Sequence, residues 1–339
     1  MKNCNVTLRD VPDVIHCYHE PHRYYHNIMH VSFMNTMLMS HEWNVSERYW
    51  HLIRIAVDLH DAIYDPRKSN NEARSADLVD TLCPQMNEGA RSIIKSLIHY
   101  TNPETYTCKV DDSIWEAVQV IRTLDLWYFI HDGGRSISNG LKVLKEYQFV
   151  PWGELVSNRN DFLRNLIRDG VTDLQLDNQI LQHNIEFLQS YKPHIGVYAG
   201  SFNPFHIGHL SVLEQADKHF DQLIVAAPKE SCNIDQLHSA LPFHRIILFD
   251  GSLPDLIKTF QCQDGGDITL VRGIRDQNDL TYEKNLAKIY QDMGMTCDIM
   301  YLMTEYPHVS STIIRSMIKD NIDWSMYKAK KYDYIYEVE

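Results

Sequence analysis

His206 and His209 directly follow Gly200-Ser-Phe-Asn-Pro204, so two imidazoles stand where a tight turn opens into a helix. Gly200 and Pro204 favour the turn, Gly208 lets the backbone approach a ligand, and the first helical turn offers free N–H groups to an anion. Both histidines are thereby expected to face one phosphate. Val271-Arg-Gly-Ile-Arg275 ends an apolar run with two guanidinium groups around a glycine, a spacing suited to a phosphate chain at a sheet edge. Val309-Ser-Ser-Thr-Ile-Ile-Arg315 reads as a hydroxyl-rich helix start whose side chains cap and whose backbone binds a further anion.

A second chemistry is written into the first half. His26 and His30 lie four apart and share a helical face, beside Phe33, Met34 and Met37. His60 and Asp61 prolong the apolar stripe of Trp50, Ile53 and Val57, and Asp125 follows Ile114, Val118 and Ile121 in the same way. Ionisable groups are thus placed where a core takes hydrocarbon, and one divalent metal satisfies them together. Other features read as plain structure: His16, His19 and His22 as surface residues, Trp115, Trp127 and Trp152 as packing residues, Asp132-Gly-Gly-Arg135 as a turn, and Lys328-Ala-Lys-Lys331 as a solvated face.

The elements that position these groups divide near the middle. From about 13 to 190 apolar residues recur at three and four, which predicts an all-α half. Pro193 breaks that pattern, and Ile195–Ala199, Leu223–Ala227, Ile246–Phe249, Ile268–Arg272 and Cys297–Met303 follow as strands, with helices at Asp279–Met293 and Ser311–Asp320. Alternating strands and helices predict a doubly wound parallel sheet with its ligand beyond the carboxyl ends of the strands, where the 200–209 and 272–275 turns fall. Two domains are expected, 1–190 and 191–339, a multidomain chain of all-α plus Rossmann-like α/β class.

Composition narrows the partners. The chain has 339 residues and a net charge of −13, which argues against a nucleic acid polymer and favours small anionic substrates held in a local basic pocket. Its 7 cysteines form no C-x-x-C pair, no apolar run reaches a membrane span, and no leader is evident, so a reducing cytoplasm and no membrane partner are expected.

Gly-Ser-Phe-Asn-Pro with His206-Ile-Gly-His209, and Ser-Ser-Thr-Ile-Ile-Arg315, resemble the HxGH and SSTxxR motifs of the nucleotidyltransferase superfamily. Arg272-Gly-Ile-Arg275 with Tyr282-Glu283 is similar to phosphopantetheine adenylyltransferase in particular, and the likeness runs from about 195 to 325. The resemblance implies AMP transfer from ATP and Mg²⁺ to a small phosphorylated acceptor, with pyrophosphate released. It assigns Ser201 and Phe202 to both substrates, His209 to the transition state, Arg272 to the acceptor, Gly273, Ile274 and Arg275 to ATP, Glu283 to the adenylate, and Tyr306 to Thr312 to the triphosphate side. It also implies a homo-oligomer. 4′-Phosphopantetheine, and hence coenzyme A biosynthesis, is the acceptor of closest motif. His206 stands where pantetheine enzymes carry threonine, which leans towards nicotinamide mononucleotide and NAD salvage. The family's acceptor loop has a lysine and a Glu-Arg pair, whereas this chain offers Lys229 and a short Asn233–Leu241 segment, and its usual last helix is replaced by Lys328-Ala-Lys-Lys-Tyr-Asp-Tyr.

Glu20-Pro-His-Arg-Tyr-Tyr-His-Asn-Ile-Met-His30, Leu59-His-Asp-Ala-Ile-Tyr-Asp-Pro66 and Asn71-Glu-Ala-Arg-Ser-Ala76 resemble the metal-dependent phosphohydrolases of the HD superfamily, over about 15 to 168. That resemblance makes His30, His60, Asp61 and Asp125 ligands of a divalent transition metal, Mn²⁺, Fe²⁺, Co²⁺ or Zn²⁺, and His26 a general acid. Glu72 and His99 follow as candidates for a second metal or a phosphate. The alternative is a nucleotide-sensing module without turnover.

Overall fold

The computed structural model describes residues 12–172 and 174–329; Cys4, Lys330 and Lys331 lie outside the described residues. The described residues up to Glu146 together with Asn158–Gln189 form one compact unit, and Tyr147–Ser157 together with the described residues from Ser190 onward form a second. The chain therefore changes unit at 146/147 and 157/158 as well as at 189/190, and the single expected boundary at 190 misses the 147–157 segment.

The first unit is built on helices α1 (Pro12–Cys17), α2 (Ile28–Ser40), α3 (Glu47–Leu59), α4 (Asn71–Leu82), α5 (Glu88–His99), α6 (Trp115–Asp125), α7 (Tyr128–His131), α8 (Gly133–Glu146), α9 (Trp152–Asp169), whose residues up to Ser157 count with the second unit, and α10 (Asn178–Ser190). Asn27 starts α2 by accepting from the Met29 N–H, and Asn87 starts α5 by accepting from that of Ala90. The stripes then mesh: Ile53, Ala56 and Val57 of α3 pack with Ile94, Leu97 and Ile98 of α5 and Val118 and Ile121 of α6 in one buried cluster. Asp132-Gly-Gly-Arg135 is the N-terminus of α8 rather than a turn, because the Asp132 carboxylate accepts from the Arg135 N–H at 3.0 Å and caps the helix despite its two glycines. His22 is no surface residue: it is buried, with Nε2 3.0 Å from the Tyr64 carbonyl and its ring stacked on that of Tyr64. Trp115 packs against the core cluster as expected, whereas His16 and His19 are exposed.

The second unit holds five parallel strands, β1 (His194–Ala199), β2 (Gln222–Pro228), β3 (Arg245–Phe249), β4 (Asp267–Ile274) and β5 (Asp298–Met303), in the order β3-β2-β1-β4-β5. Between and after them run α11 (Ile207–Ala216), α12 (Ile234–Ala240), α13 (Leu253–Gln263), α14 (Gln277–Asp292) and α15 (Ser311–Lys319). The order reverses between β1 and β4, which is where an open parallel sheet leaves a crevice at its carboxyl edge. β1 and β2 are continuous apolar runs buried on both faces, and Gly196 is obligatory because a Cβ there would stand 2.5 Å from the Phe220 ring. Gln148 joins this unit from a distant part of the chain: its side chain accepts from the Leu223 N–H, and the Gln222 amide donates to the carbonyls of Gln148 and Val150. Among the described residues no helix is long and apolar enough to cross a membrane.

Candidate active sites

At the carboxyl edge of β1 the chain turns through Gly200–Phe205 into α11. Phe202 takes φ +47°, a left-handed value rare for a bulky side chain, and its ring is fixed against Tyr198, Phe205 and His209 at 5.0, 5.7 and 5.1 Å. Gly200 is required by that ring, since a Cβ would approach it to 2.9 Å. Ser201 lies exposed beside it.

His206 is the N-cap of α11: its Nδ1 accepts from the Gly208 N–H at 3.1 Å, so the neutral ring carries its proton on Nε2. The His206 and His209 rings stack on each other at 3.7 Å rather than flanking a common point from opposite sides. Gly208 serves that stack, because a Cβ would meet the His206 ring at 3.0 Å. His206 Nε2 and His209 Nδ1 are buried without a hydrogen-bond partner among the described residues. Burial, with Arg275 nearby, pushes His206 down to about 4, and burial with His206 and Arg275 holds His209 well below its ordinary range. Two neutral imidazoles, each with one buried and unpartnered ring nitrogen, rather than two cations, are what this edge offers.

β4 runs on through Ile274, so Arg272 and Gly273 belong to the strand and not to a turn. Its pleat sends the two guanidinium groups to separate carboxylates. Arg272 makes two bonds to Glu283 of α14, 2.7 and 2.6 Å, and a third to the Ala199 carbonyl at 2.7 Å. Arg275 pairs with Asp279 at 2.6 and 3.0 Å and is more open to solvent. Ile274 is buried and Gly273 exposed.

The hydroxyl-rich segment closes the edge. Ser310 caps α15 by accepting from the Ile313 N–H, Ser311 donates to the Pro204 carbonyl at 3.1 Å, and Arg315 donates to the Asn203 carbonyl and to the Thr312 hydroxyl. Thr304, just past β5, donates to the Gly208 carbonyl at 3.0 Å and shares a bond with Ser211, which accepts from the Glu305 N–H. Thr304 and Ser211 were not singled out by the sequence; lone hydroxyls 93 positions apart carry no local signal. The turn after β1, the end of β4 and the start of α15 therefore share one edge. Lys229 is exposed, 3.6 Å from Asp250, and the acceptor segment forms the short helix α12. Lys328 is exposed, and its backbone forms a bridge to His206.

In the first unit the sequence-selected ligands come together. His30, His60 and Asp125 offer atoms within 4.8 Å of one another. The Nε2 atoms of His30 and His60 are 3.3 Å apart, and Asp61 Oδ2 lies 3.0 Å from His60 Nε2 and 3.8 Å from His30 Nε2. His30 Nε2 is 3.4 Å from Asp125 Oδ1. His30 and His60 are buried, whereas Asp61 and Asp125 are partly open, so the expected burial of all four holds only for the histidines. His60 Nδ1 is anchored by the Val57 carbonyl at 2.9 Å, which turns Nε2 to the cluster. Asp61 Oδ2 is buried and turned to the two imidazoles, with His60 Nε2 as its near partner. A buried carboxylate oxygen facing two imidazole nitrogens is a donor set that fits a borderline divalent cation. Burial opposes charge on His60, yet the Asp61 carboxylate lifts it to about 9, and burial works against Asp61, yet His60 and His26 hold it far below its ordinary range.

Arg23, buried, fixes the approach to this cluster: its guanidinium reaches the carbonyls of His26, Asp61 and Ala62 and the Glu20 carboxylate. His26 sits with its ring centroid 6.1 Å from that of His30. Glu72 accepts from Asn102 at 3.1 Å, and burial, with the Asp61 charge, leaves it raised against the backbone and Asn102 hydrogen bonds that lower it. His99 is exposed and outside the cluster.

A cytidylyltransferase-like family model matches residues 197–246. The phosphopantetheine adenylyltransferase of Rhodopirellula baltica is 30% identical over 137 residues, which span 36% of this chain and 74% of that protein. That of Geobacter sulfurreducens is 28% identical over 137 residues, 36% of this chain and 80% of that protein. A crystal structure from Vibrio parahaemolyticus, described as a nicotinate-nucleotide adenylyltransferase, matches with a TM-score of 0.33 and 20% identity over 43% of this chain and 91% of that one.

Proposed function

Because the chain belongs, through its second unit, to the phosphopantetheine adenylyltransferase-like nucleotidyltransferases, we propose that it transfers the adenylyl group of ATP to a small phosphorylated acceptor. The observation that carries this is the meeting of the HxGH turn, the end of β4 and the Ser310–Arg315 helix start at one sheet edge. An acceptor phosphate oxygen attacks the α-phosphorus in line, the bond to the β-phosphate breaks, and pyrophosphate leaves with that electron pair. No enzyme nucleophile is needed, so the side chains position and stabilise. His206 Nε2–H donates to a phosphoryl oxygen, and the unpartnered Nδ1 edge of His209 does the same as charge develops on the α-phosphate. Arg275, at the open end of β4, swings from Asp279 to the phosphates, while Arg272 and Glu283 hold α14 against the strand. Mg²⁺ bound to ATP would neutralise part of the phosphate charge.

4′-Phosphopantetheine is the acceptor favoured by the relatives' activity, with nicotinamide mononucleotide as its rival because of His206. Ser201 and Phe202 border both substrates, Gly273 and Ile274 line the ATP side with Ser310, Ser311, Thr312 and Arg315, and Lys229 serves the acceptor loop. With ATP labelled at the α-phosphorus, the label is expected in an acceptor–adenylate product; label released only as AMP would overturn the assignment.

The convergence of His30, His60 and Asp125, with the buried Asp61 carboxylate turned to both imidazoles, supports a second activity, metal-dependent phosphoester hydrolysis of the HD type. These four residues would hold Mn²⁺, Fe²⁺, Co²⁺ or Zn²⁺, which when bound polarises a phosphoryl oxygen and acidifies water. Purified protein is expected to carry such a metal and Asp61→Ala to lose it. Metal retained without any phosphoester turnover would favour a nucleotide-sensing module.

A further inference from the structure

Glu146 ends α8, is fully buried, and sits 120 positions from the residue it contacts most. Both its oxygens are engaged. Oε1 accepts from the backbone N–H groups of Tyr25 and His26 at 2.6 and 2.9 Å, and Oε2 accepts from His26 Nδ1 at 2.6 Å and from the Tyr64 hydroxyl at 2.8 Å. An anionic carboxylate saturated by four donors in a dry interior is a costly arrangement unless it serves something. What it serves is one imidazole. The Nδ1 bond assigns that nitrogen its proton, the two backbone bonds fix the chain that leads into the ring, and the Tyr64 ring packs on the imidazole at 4.5 Å. Arg23 grips the His26 and Asp61 carbonyls at once, which ties the ring's backbone to that of a cluster residue. Nε2 is the one ring nitrogen left, with no hydrogen-bond partner recorded among the described residues, on a ring whose centroid lies 6.1 Å from that of His30.

We propose that Glu146 is the positioning residue that locks His26 as the proton donor to the leaving oxygen of a phosphoester bound at the His30, His60, Asp61 and Asp125 cluster. The inference rests on the hydrolytic reading of that cluster. The step balances simply: a water oxygen forms the new P–O bond, the bond to the leaving group breaks with its electron pair on the leaving oxygen, and that oxygen takes the Nε2 proton. The proton given up by the attacking water goes to solvent, and His26 is reprotonated before the next turnover. Glu146 keeps its carboxylate ionised throughout, compensating the imidazolium without accepting its proton. The groups that face His26 are Glu146 of α8, Asp61 after α3, Asp125 of α6 and Tyr64, with the His30 imidazole of α2 beside its ring and the Arg23 guanidinium on its carbonyl.

Leaving-group chemistry separates a proton donor from a merely structural histidine. With Mn²⁺-loaded full-length protein and aryl phosphate monoesters from p-nitrophenyl to phenyl, wild type is expected to vary little in kcat/KM across the series. Glu146→Gln and His26→Gln should both steepen that dependence, losing about 10²-fold more on the phenyl ester than on the p-nitrophenyl ester, the span of one general acid. Mn²⁺ content by equilibrium dialysis should match wild type in both variants. An equal loss across the series, or loss of Mn²⁺ from Glu146→Gln, would overturn the positioning role while leaving hydrolysis in place. No turnover of any ester by wild type would overturn the hydrolytic reading, and this inference with it. His26→Gln leaves the Glu146 side chain intact, so a Glu146→Gln protein that fails to fold still leaves the leaving-group test decisive.

Discussion

His206 gives one ring nitrogen to the fold and keeps the other for a ligand. Its Nδ1 caps α11 and its Nε2 stays buried and unpartnered, so the same contact that starts the helix decides which nitrogen carries the proton. That arrangement has a pH signature. Held at about 4 when folded and near 6.5 when unfolded, His206 takes up a proton more readily in the unfolded chain, so stability falls as pH drops through the window from 6.5 to 4. At about 1.4 kcal/mol per unit this amounts to roughly 3 kcal/mol. His206→Asn, which can still cap, is expected to flatten the pH dependence of the urea midpoint between pH 7 and pH 5; an unchanged slope would show that the buried ring does not titrate as described. His209 has no such structural bond on Nδ1. His209→Ala should lower kcat for adenylyl transfer by about 10²–10³-fold, the range for removing one preorganised donor, with little change in urea midpoint.

Among the elements, the strands of the second unit were legible because β1 and β2 are unbroken apolar runs, and their expected bounds fall within a residue of the observed ones. β4 was read too short: Arg272 and Gly273 look like turn residues, yet Glu283 on α14 neutralises the arginine, and the strand continues. The Asp132 segment failed for the opposite reason, since two glycines mask a helix start that one carboxylate secures. His22 was misread because its partner, the Tyr64 carbonyl, lies 42 positions away. Glu146 was invisible on the same ground, a charged residue at a helix end whose four donors are supplied by the 25–26 segment and Tyr64. Ligand sets on short motifs are readable, whereas the groups that orient them come from elsewhere in the chain. One consequence at this scale concerns Gly196, where only hydrogen fits under Phe220 and Leu223. Gly196→Ala should destabilise the second unit by about 1–3 kcal/mol through overpacking, read as a lower urea midpoint. A midpoint equal to wild type would show that the Phe220 ring yields freely.

At the scale of the whole molecule, two sets of chemical residues occupy two compact units, each with its own core. The HxGH edge and the His30 cluster belong to different units, so Asp61→Ala is expected to abolish metal retention and phosphoester hydrolysis while leaving adenylyl transfer within about twofold of wild type. A large change in transfer kinetics would instead make the first unit a regulator of the second. The central claim concerns the sheet edge and its reaction. It is tested most directly by pyrophosphate release from ATP and Mg²⁺ with 4′-phosphopantetheine and nicotinamide mononucleotide offered separately, His209→Ala serving as control. Release with one acceptor, strongly reduced in His209→Ala, is the expected result; no release above background with either acceptor, or equal release by wild type and His209→Ala, would contradict it.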